Sequence, residues 1–277
     1  MIPVAFTYRR PSSVSEVLDL LVEHGDEAKL LAGGHSLLPL MKLRLAAPEV
    51  LIDLAGLDEL RYVRDEGDTI AIGALTRYRD LEIDPILAEH APLVAHAAGA
   101  IGDPQVRHRG TIGGSLVHAD PAGDLPAAVL VSDAVLVLRG PEGEREIPVD
   151  EFFVGPFTTP LAEDELLTEI RLPKQTGIGW GYEKFTRREI DWAIVGVAAL
   201  GKKVALINMG GTPLRAHGVE AALADGASIP DAAALAGEDG NPADEPHASA
   251  DYRRHLATVL TARALTRATG EVPAGLS

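Results

Sequence analysis

Two short glycine-rich segments, about eighty positions apart, constrain this chain more than any other feature. The first is Leu31-Ala32-Gly33-Gly34-His35-Ser36, and the second is Gly110-Thr111-Ile112-Gly113-Gly114-Ser115-Leu116. Each follows a strand-like run, carries a serine and reads as a turn. Without a Cβ, paired glycines leave backbone N–H groups open to an anion, and a nearby hydroxyl completes a phosphate cradle. Two cradles facing one ligand would hold a pyrophosphate, the midpoint of a dinucleotide. Such a ligand calls for a fold with two lobes.

The rest of the chain is compatible with that demand. Its 277 residues suffice for two domains or one domain with subdomains, and a hydrophobic content of 46% supports a full core. A net charge of −16 argues against nucleic acid, whose backbone needs a basic face. Arg107, His108 and Arg109 form a local basic patch before the second segment. It reads either as a place for a dianionic ligand or as a solvated surface pair. Cysteine is absent, so the chain has no disulfide, no thiolate nucleophile and no cysteine-ligated iron–sulfur cluster. Any such cluster working with this chain sits on another polypeptide. The start, Met1-Ile2-Pro3-Val4-Ala5-Phe6, has no signal-peptide pattern, and no run reaches the ~18–20 apolar residues of a membrane span. A soluble cytoplasmic protein is expected.

Local patterns suggest the order of elements. Ser13 and Glu16 have capping-box spacing ahead of a helix with Val14, Val17, Leu18 and Leu21 on one face, stopped at Gly25. Lys29 to Ala32, Val50 to Leu54 and Thr69 to Ile72 read as strands, so the first ~55 residues form a small β-α-β unit. Pro92 to Gly99 reads as a helix broken at Gly102-Asp103-Pro104, and Asp124 reads as the cap of a helix to Val131. Strands follow at Ala134 to Leu138, Leu166 to Leu172 and Tyr182 to Thr186, with a boundary near Pro173 to Gly179. Ala193 to Leu200 and Val204 to Met209 form an antiparallel pair across Gly201-Lys202. Residues 221–250 look like a loose connection or a short helix. Asp251 to Thr266 closes the chain as a helix with Tyr252, Leu256, Val259, Leu260 and Arg263 at helical spacing.

Three other constellations carry little. His118 and Asp120 lack a third ligand for a metal. Ser115, His118 and Asp120 offer hydrolase residue types without a Gly-x-Ser-x-Gly elbow. Gly177-Ile178-Gly179-Trp180-Gly181 leads into a strand, unlike a Rossmann fingerprint.

At the level of whole motifs, Ala32-Gly33-Gly34-His35-Ser36-Leu37-Leu38-Pro39-Leu40-Met41-Lys42-Leu43-Arg44-Leu45 resembles the signature of the FAD-binding medium subunit of molybdenum hydroxylases. This is the xanthine dehydrogenase family, and its aerobic carbon monoxide dehydrogenase branch is the nearest match. Thr111-Ile112-Gly113-Gly114-Ser115 with Ala119-Asp120-Pro121 and Asp124 resembles the second signature. Tyr182-Glu183-Lys184-Phe185 with Asp191-Trp192-Ala193 resembles a third, and Tyr252-Arg253-Arg254-His255-Leu256 the end of the C-terminal domain.

The resemblance implies an α+β protein with the FAD-binding fold of vanillyl-alcohol oxidase and p-cresol methylhydroxylase. Its two α+β subdomains would span 1–55 and 56–176, and a C-terminal α+β domain with an antiparallel sheet and closing helix would span 177–277. It also implies a large partner with a molybdenum–pterin cofactor, a small partner with two 2Fe-2S clusters, and a dimer of heterotrimers. Electrons would reach FAD here and leave to a quinone or other acceptor, with peripheral contact at the inner membrane face as one setting for that exit. Substrate catalysis would involve no residue of this chain, and no metal would bind to it.

Carried over residue by residue, Ala32, Gly33, Gly34, His35, Ser36 and Leu37 would serve the pyrophosphate from one side, and Thr111, Gly113, Gly114 and Ser115 from the other. Ala119 and Asp120 belong to the same binding signature, and Asp124 would meet a ribityl or ribose hydroxyl. Ile101 and Gly102 would line the flavin ring, Leu167 would contact it through its backbone, and Trp192 would stack beside it. Lys184 would approach the pyrimidine edge, stabilise the anionic reduced flavin and raise its potential. Outside the motifs, His35 and Lys184 read equally as solvated side chains, Trp192 as core packing and Asp124 as a helix cap. Two rivals remain: a stand-alone flavin oxidase or reductase of the same fold, and a non-enzymatic assembly scaffold.

Overall fold

The computed structural model describes residues 2–270. The first lobe is a parallel three-stranded sheet built from β1 (Thr7–Arg9), α1 (Val14–His24), β2 (Ala28–Leu31), α2 (Leu37–Leu43) and β3 (Val50–Asp53), in the order β1-β3-β2. The Ser13 side chain caps α1 by accepting from Glu16 N–H, a contact worth about 1 kcal/mol. Glu16 does not return the bond to Ser13; its carboxylate takes the Ser12 N–H and hydroxyl instead. The predicted apolar face of α1 packs with Val50, Ile52 and Leu54 to form the lobe's core.

The second lobe contains β4 (Val63–Asp65), β5 (Thr69–Gly73), α3 (Tyr78–Ile83), α4 (Pro85–His90), α5 (Pro92–Gly99), α6 (Pro104–Arg107), α7 (Ile112–His118), α8 (Asp124–Val131), β6 (Val135–Gly140), β7 (Gly143–Pro148) and β8 (Leu166–Pro173). Its antiparallel sheet runs β4-β5-β8-β6-β7. The second glycine segment differs from the expected turn after a strand. It follows α6, crosses an isolated bridge between Arg77 and Thr111, and then becomes the first turn of α7. Asp124 also departs from its expected role: Gly123 is the cap, and Asp124 is the first residue of α8, buried with the rest of that helix.

The third sheet consists of β9 (Trp180–Phe185), β10 (Val195–Leu200), β11 (Lys203–Ile207) and β12 (Leu214–Arg215), all antiparallel in the order β12-β11-β10-β9. Helices α9 (His217–Ala224), α10 (Ile229–Ala233) and α11 (Ala250–Thr269) complete it. Of the two expectations for residues 221–250, the short helix is the one met, as α10, with Ala232, Ala233 and Ala236 fully buried. β10 faces two cores: Val195, Val197 and Ala199 point to α11, while Ala198 and Leu200 join the helical core of the second lobe.

The buried face of α11 keeps Leu256 and Leu260 of the residues expected at helical spacing and departs from the others. It holds Arg253, Leu256, Ala257, Leu260, Thr261, Ala264, Leu265 and Ala268, whereas Tyr252 and Arg263 are exposed. Arg253 goes inside with Nη1 bonded to Ala243 O and Glu245 Oε1 and Nη2 to Asn208 O, while its buried Nε has no partner among the described residues. Alanines on this face let the helix lie directly on β9, where Gly179 and Gly181 leave room. A Cβ at either position would overlap the carbonyl oxygen of Ala268 or Ala264. Gly181→Ala is therefore expected to lower unfolding free energy by about 1–3 kcal/mol through overpacking, read as a lower urea midpoint at unchanged m-value.

Candidate functional site

The strand end of the first lobe and the start of α7 face one open cleft of about 320 Å³. At its rim the two glycine segments meet backbone to backbone. A Cβ on Gly33 would overlap Arg109 O and come within 2.7 Å of Gly110 Cα. A Cβ on Gly114 would lie 2.8 Å from Thr111 Oγ1 and 3.6 Å from Ala32 Cβ. Gly34 adopts φ +77°, a left-handed conformation natural to glycine.

The segments contribute unequally. The N–H groups of Gly33, Gly34, His35, Ser36 and Leu37 have no acceptor among the described residues. The second segment, also expected to offer N–H donors, has used them. Ile112 N–H donates to Thr76 O, Gly113 N–H to Ala74 O, Gly114 N–H to Thr111 Oγ1 and Ser115 N–H to Thr111 O. The first two bonds dock α7 onto the segment that follows β5, and the other two close its N-terminal cap. Gly113 is accordingly a packing glycine, since its Cβ would strike Ala74. The second segment offers hydroxyls and a bare surface instead. Ser115 also hydrogen-bonds Tyr78, whose phenol burial pushes up to about 12. The His35 imidazole is held below its usual pKa by burial and by Arg109, so at neutral pH it is an uncharged donor. The basic patch divides, because Arg107 is spent on Glu82 and Ile101 O.

Ala32, Gly33, Gly34, His35, Ser36, Leu37, Thr111, Gly113, Gly114, Ser115, Asp120, Leu167 and Trp192 all line the cleft. Ala119, Ile101, Gly102, Asp124 and Lys184 are not in its wall. Ala119 is the buried left-handed C-cap of α7. Gly102 backs onto the loop that carries Trp192, where a Cβ would lie 2.5 Å from Ile190 Cα. Trp192 is 60% exposed, which rules out core packing. Sequence reasoning missed Lys29, Leu30, Leu54, Leu75 and Tyr78 in the wall. The position of Lys29 and Leu30 on the strand entering the first glycine turn was the available signal.

Beside the cleft, Lys184 Nζ donates to Asp124 Oδ2 at 2.9 Å and to Ala100 O at 3.2 Å. The side chains are 11% and 3% exposed. The Tyr182 hydroxyl donates to Asp124 Oδ1. Burial raises the Asp124 pKa against the opposing pull of Lys184 and Tyr182. Tyr182 stays protonated, since burial and the adjacent carboxylate push its pKa far up. No metal cluster occurs among the described residues, and His118, its pKa lowered by burial, packs against Phe157.

Two lobes in contact at their glycine loops, with five N–H groups that have no acceptor among the described residues beside one cleft of about 320 Å³, form an arrangement suited to the pyrophosphate of a dinucleotide. Residues 4–175 match the family described as FAD binding domain in molybdopterin dehydrogenase, and residues 180–268 match the CO dehydrogenase flavoprotein C-terminal domain. The chain belongs to this family of flavoprotein oxidoreductase subunits. It is 44% identical to the carbon monoxide dehydrogenase medium chain of Hydrogenophaga pseudoflava, covering 97% of this chain and 98% of that one. The medium chain of Afipia carboxidovorans is 38% identical at 97% and 98% coverage. The solved carbon monoxide dehydrogenase of H. pseudoflava, lacking the Mo-pyranopterin moiety of its molybdenum cofactor, superposes with a TM-score of 0.94 at 45% identity, over 98% of this chain and 99% of that chain. The free N–H row and the bare Gly114 surface suit the FAD pyrophosphate, so the residues present fit the cofactor of the family.

Proposed function

We propose that this chain is the electron-transfer subunit of a molybdenum hydroxylase of the carbon monoxide dehydrogenase type. FAD, when bound, supplies one-electron and two-electron redox chemistry. The observation that carries this reading is the backbone contact of the two glycine segments on one cleft, with donors on one side and bare surface and hydroxyls on the other.

In this reading, residues 1–55 and 56–176 grip the cofactor, and residues 177–277 close over its ring end. The N–H groups of Gly33 to Leu37 hold the pyrophosphate, and Thr111 and Ser115 add hydroxyls. Leu167 and the exposed Trp192 confine the ring, while Gly102 backs the loop that carries Trp192 and Ile101 anchors Arg107 through its carbonyl. Asp124 and Lys184 set the local charge. Electrons arrive from 2Fe-2S clusters on a small partner, fed by a molybdenum–pterin site on a large partner, and leave to a quinone or other acceptor. The assembly is a dimer of heterotrimers in the cytoplasm, with peripheral membrane contact at the acceptor. No helix among the described residues is long and apolar enough to cross a membrane.

The test is a spectrum. The chain purified with its large and small partners is expected to be yellow and to bleach when the substrate of the large subunit is added. The chain alone with the same substrate should not bleach. Bleaching without partners would mark a stand-alone oxidase. Colourless protein after gentle purification of the complex would mark a scaffold.

A further inference from the structure

The Tyr182 hydroxyl is not in the wall of the cleft, yet it ends on the carboxylate that pairs with Lys184. We propose that Tyr182 is a positioning residue that fixes where the Lys184 charge stands and so sets the potential of the bound flavin. The inference rests on the reading that Lys184 acts on the flavin.

The argument begins with the strand. Tyr182 and Lys184 are two residues apart on β9, so their side chains share a face of the sheet. Both point at Asp124, the first residue of α8 in the second lobe. A carboxylate buried to 3% has no water to orient it, and its direction is set by the donors it meets. Tyr182 takes Oδ1, which leaves Oδ2 facing Lys184. Lys184 Nζ is thereby held in a two-point seat, Asp124 Oδ2 and Ala100 O, on the turn leading to Ile101 and Gly102.

A lysine side chain has four rotatable bonds and a compact charge that follows its strongest partner. Without the Tyr182 bond, Asp124 can rotate and the ammonium moves with it. His96 is the other titratable group packed on Tyr182; it meets the edge of the phenol ring, not the hydroxyl. Burial keeps His96 below its usual pKa, so it adds no charge at neutral pH. Asp120 is the remaining acidic group felt by Asp124. The hydroxyl therefore has one partner of consequence, and its removal is a clean operation on the pair.

The experiment measures the flavin midpoint potential in the FAD-loaded protein purified with its partner subunits, at neutral pH. It compares the parent with Lys184→Ala, Tyr182→Phe and the double variant. Lys184→Ala is expected to retain FAD and lower the potential. Tyr182→Phe is expected to retain FAD and lower the potential by a smaller amount, equivalent to about a tenfold loss in preference for the reduced state, or ~30 mV for a two-electron couple. In the Lys184→Ala background, Tyr182→Phe should add nothing.

An unchanged potential in Lys184→Ala overturns the underlying assignment of Lys184 and the inference with it. A shifted Lys184→Ala beside an unchanged Tyr182→Phe overturns the inference alone. Equal Tyr182→Phe shifts with and without Lys184 also overturn it, since the phenol then acts by another route. Asp124→Asn gives a second reading if Tyr182→Phe fails to fold. It keeps the shape of the side chain but offers one acceptor oxygen to two donors and removes the charge that seats Lys184, so it should also move the potential; no movement would count against the proposed seat.

Discussion

Gly114→Val protein, purified with its partners, is expected to be colourless, with flavin occupancy reduced at least tenfold at unchanged helix content. The Cβ of any side chain at this position meets Thr111 Oγ1 at 2.8 Å and Ala32 Cβ at 3.6 Å. Valine adds two methyl groups beyond that point, at the place where the two lobes face each other. It also strains the hydrogen bond from Gly114 N–H to Thr111 Oγ1 that caps α7. Absorbance of released flavin, normalised to protein, measures the loss, and far-ultraviolet circular dichroism measures the fold. Normal occupancy would remove Gly114 from the cradle. Gly33 is a poorer probe of the same idea. Its neighbour is the backbone of Arg109 and Gly110, which cannot move aside as a side chain can, so a substitution there separates the lobes as well as blocking the ligand.

The second large effect is on stability. Asp124→Ala removes one partner of a buried ion pair and leaves the Lys184 ammonium, 11% exposed, without its counter-charge. Breaking such a pair on one side costs about 3–5 kcal/mol, whereas replacing both partners by apolar residues is often close to neutral. Urea unfolding should therefore show Asp124→Ala far less stable than the parent, and the Asp124→Leu/Lys184→Met/Tyr182→Phe triple variant, which leaves no donor of the cluster facing an apolar side chain, recovering most of the loss. A single variant with parental stability would mean that water or another group already compensates the lysine.

Much of this was legible in the sequence because short-range chemistry decided it. Ser13 with its Glu16 amide, the glycine at 25 and the apolar spacing of Val14 to Leu21 specify α1 without help from the rest of the chain. The glycine segments were legible as a ligand feature because few other roles need two bare backbones side by side. What the sequence hid was long-range. Whether an N–H is free depends on what stands opposite it, and Ala74 and Thr76 of the second lobe absorb the donors of Gly113 and Ile112. Asp124 looked like a helix cap because its partners lie 58 and 60 residues away. The inward turn of Arg253 has in part the same origin, since its acceptor Asn208 lies 45 residues away, although Ala243 is only 10 residues away. The continuous apolar run of β6 was clear, while the three-residue β1 and β4 carry too few positions to show a period.

Helix α8 is dry on every side, from Asp124 to Val131. Its apolar residues share one core with Ala198, Leu200, Ala205 and Ile207 of the third sheet. The two family segments that meet near residue 176 are thus separate in sequence but joined through a common wall. Cutting the chain there would strip one face of an apolar helix of its cover, and the amino-terminal part would have to hide that surface by aggregating or by recruiting a substitute. For such a molecule, inheritance of the carboxy-terminal module is a condition of solubility before it is a matter of redox tuning.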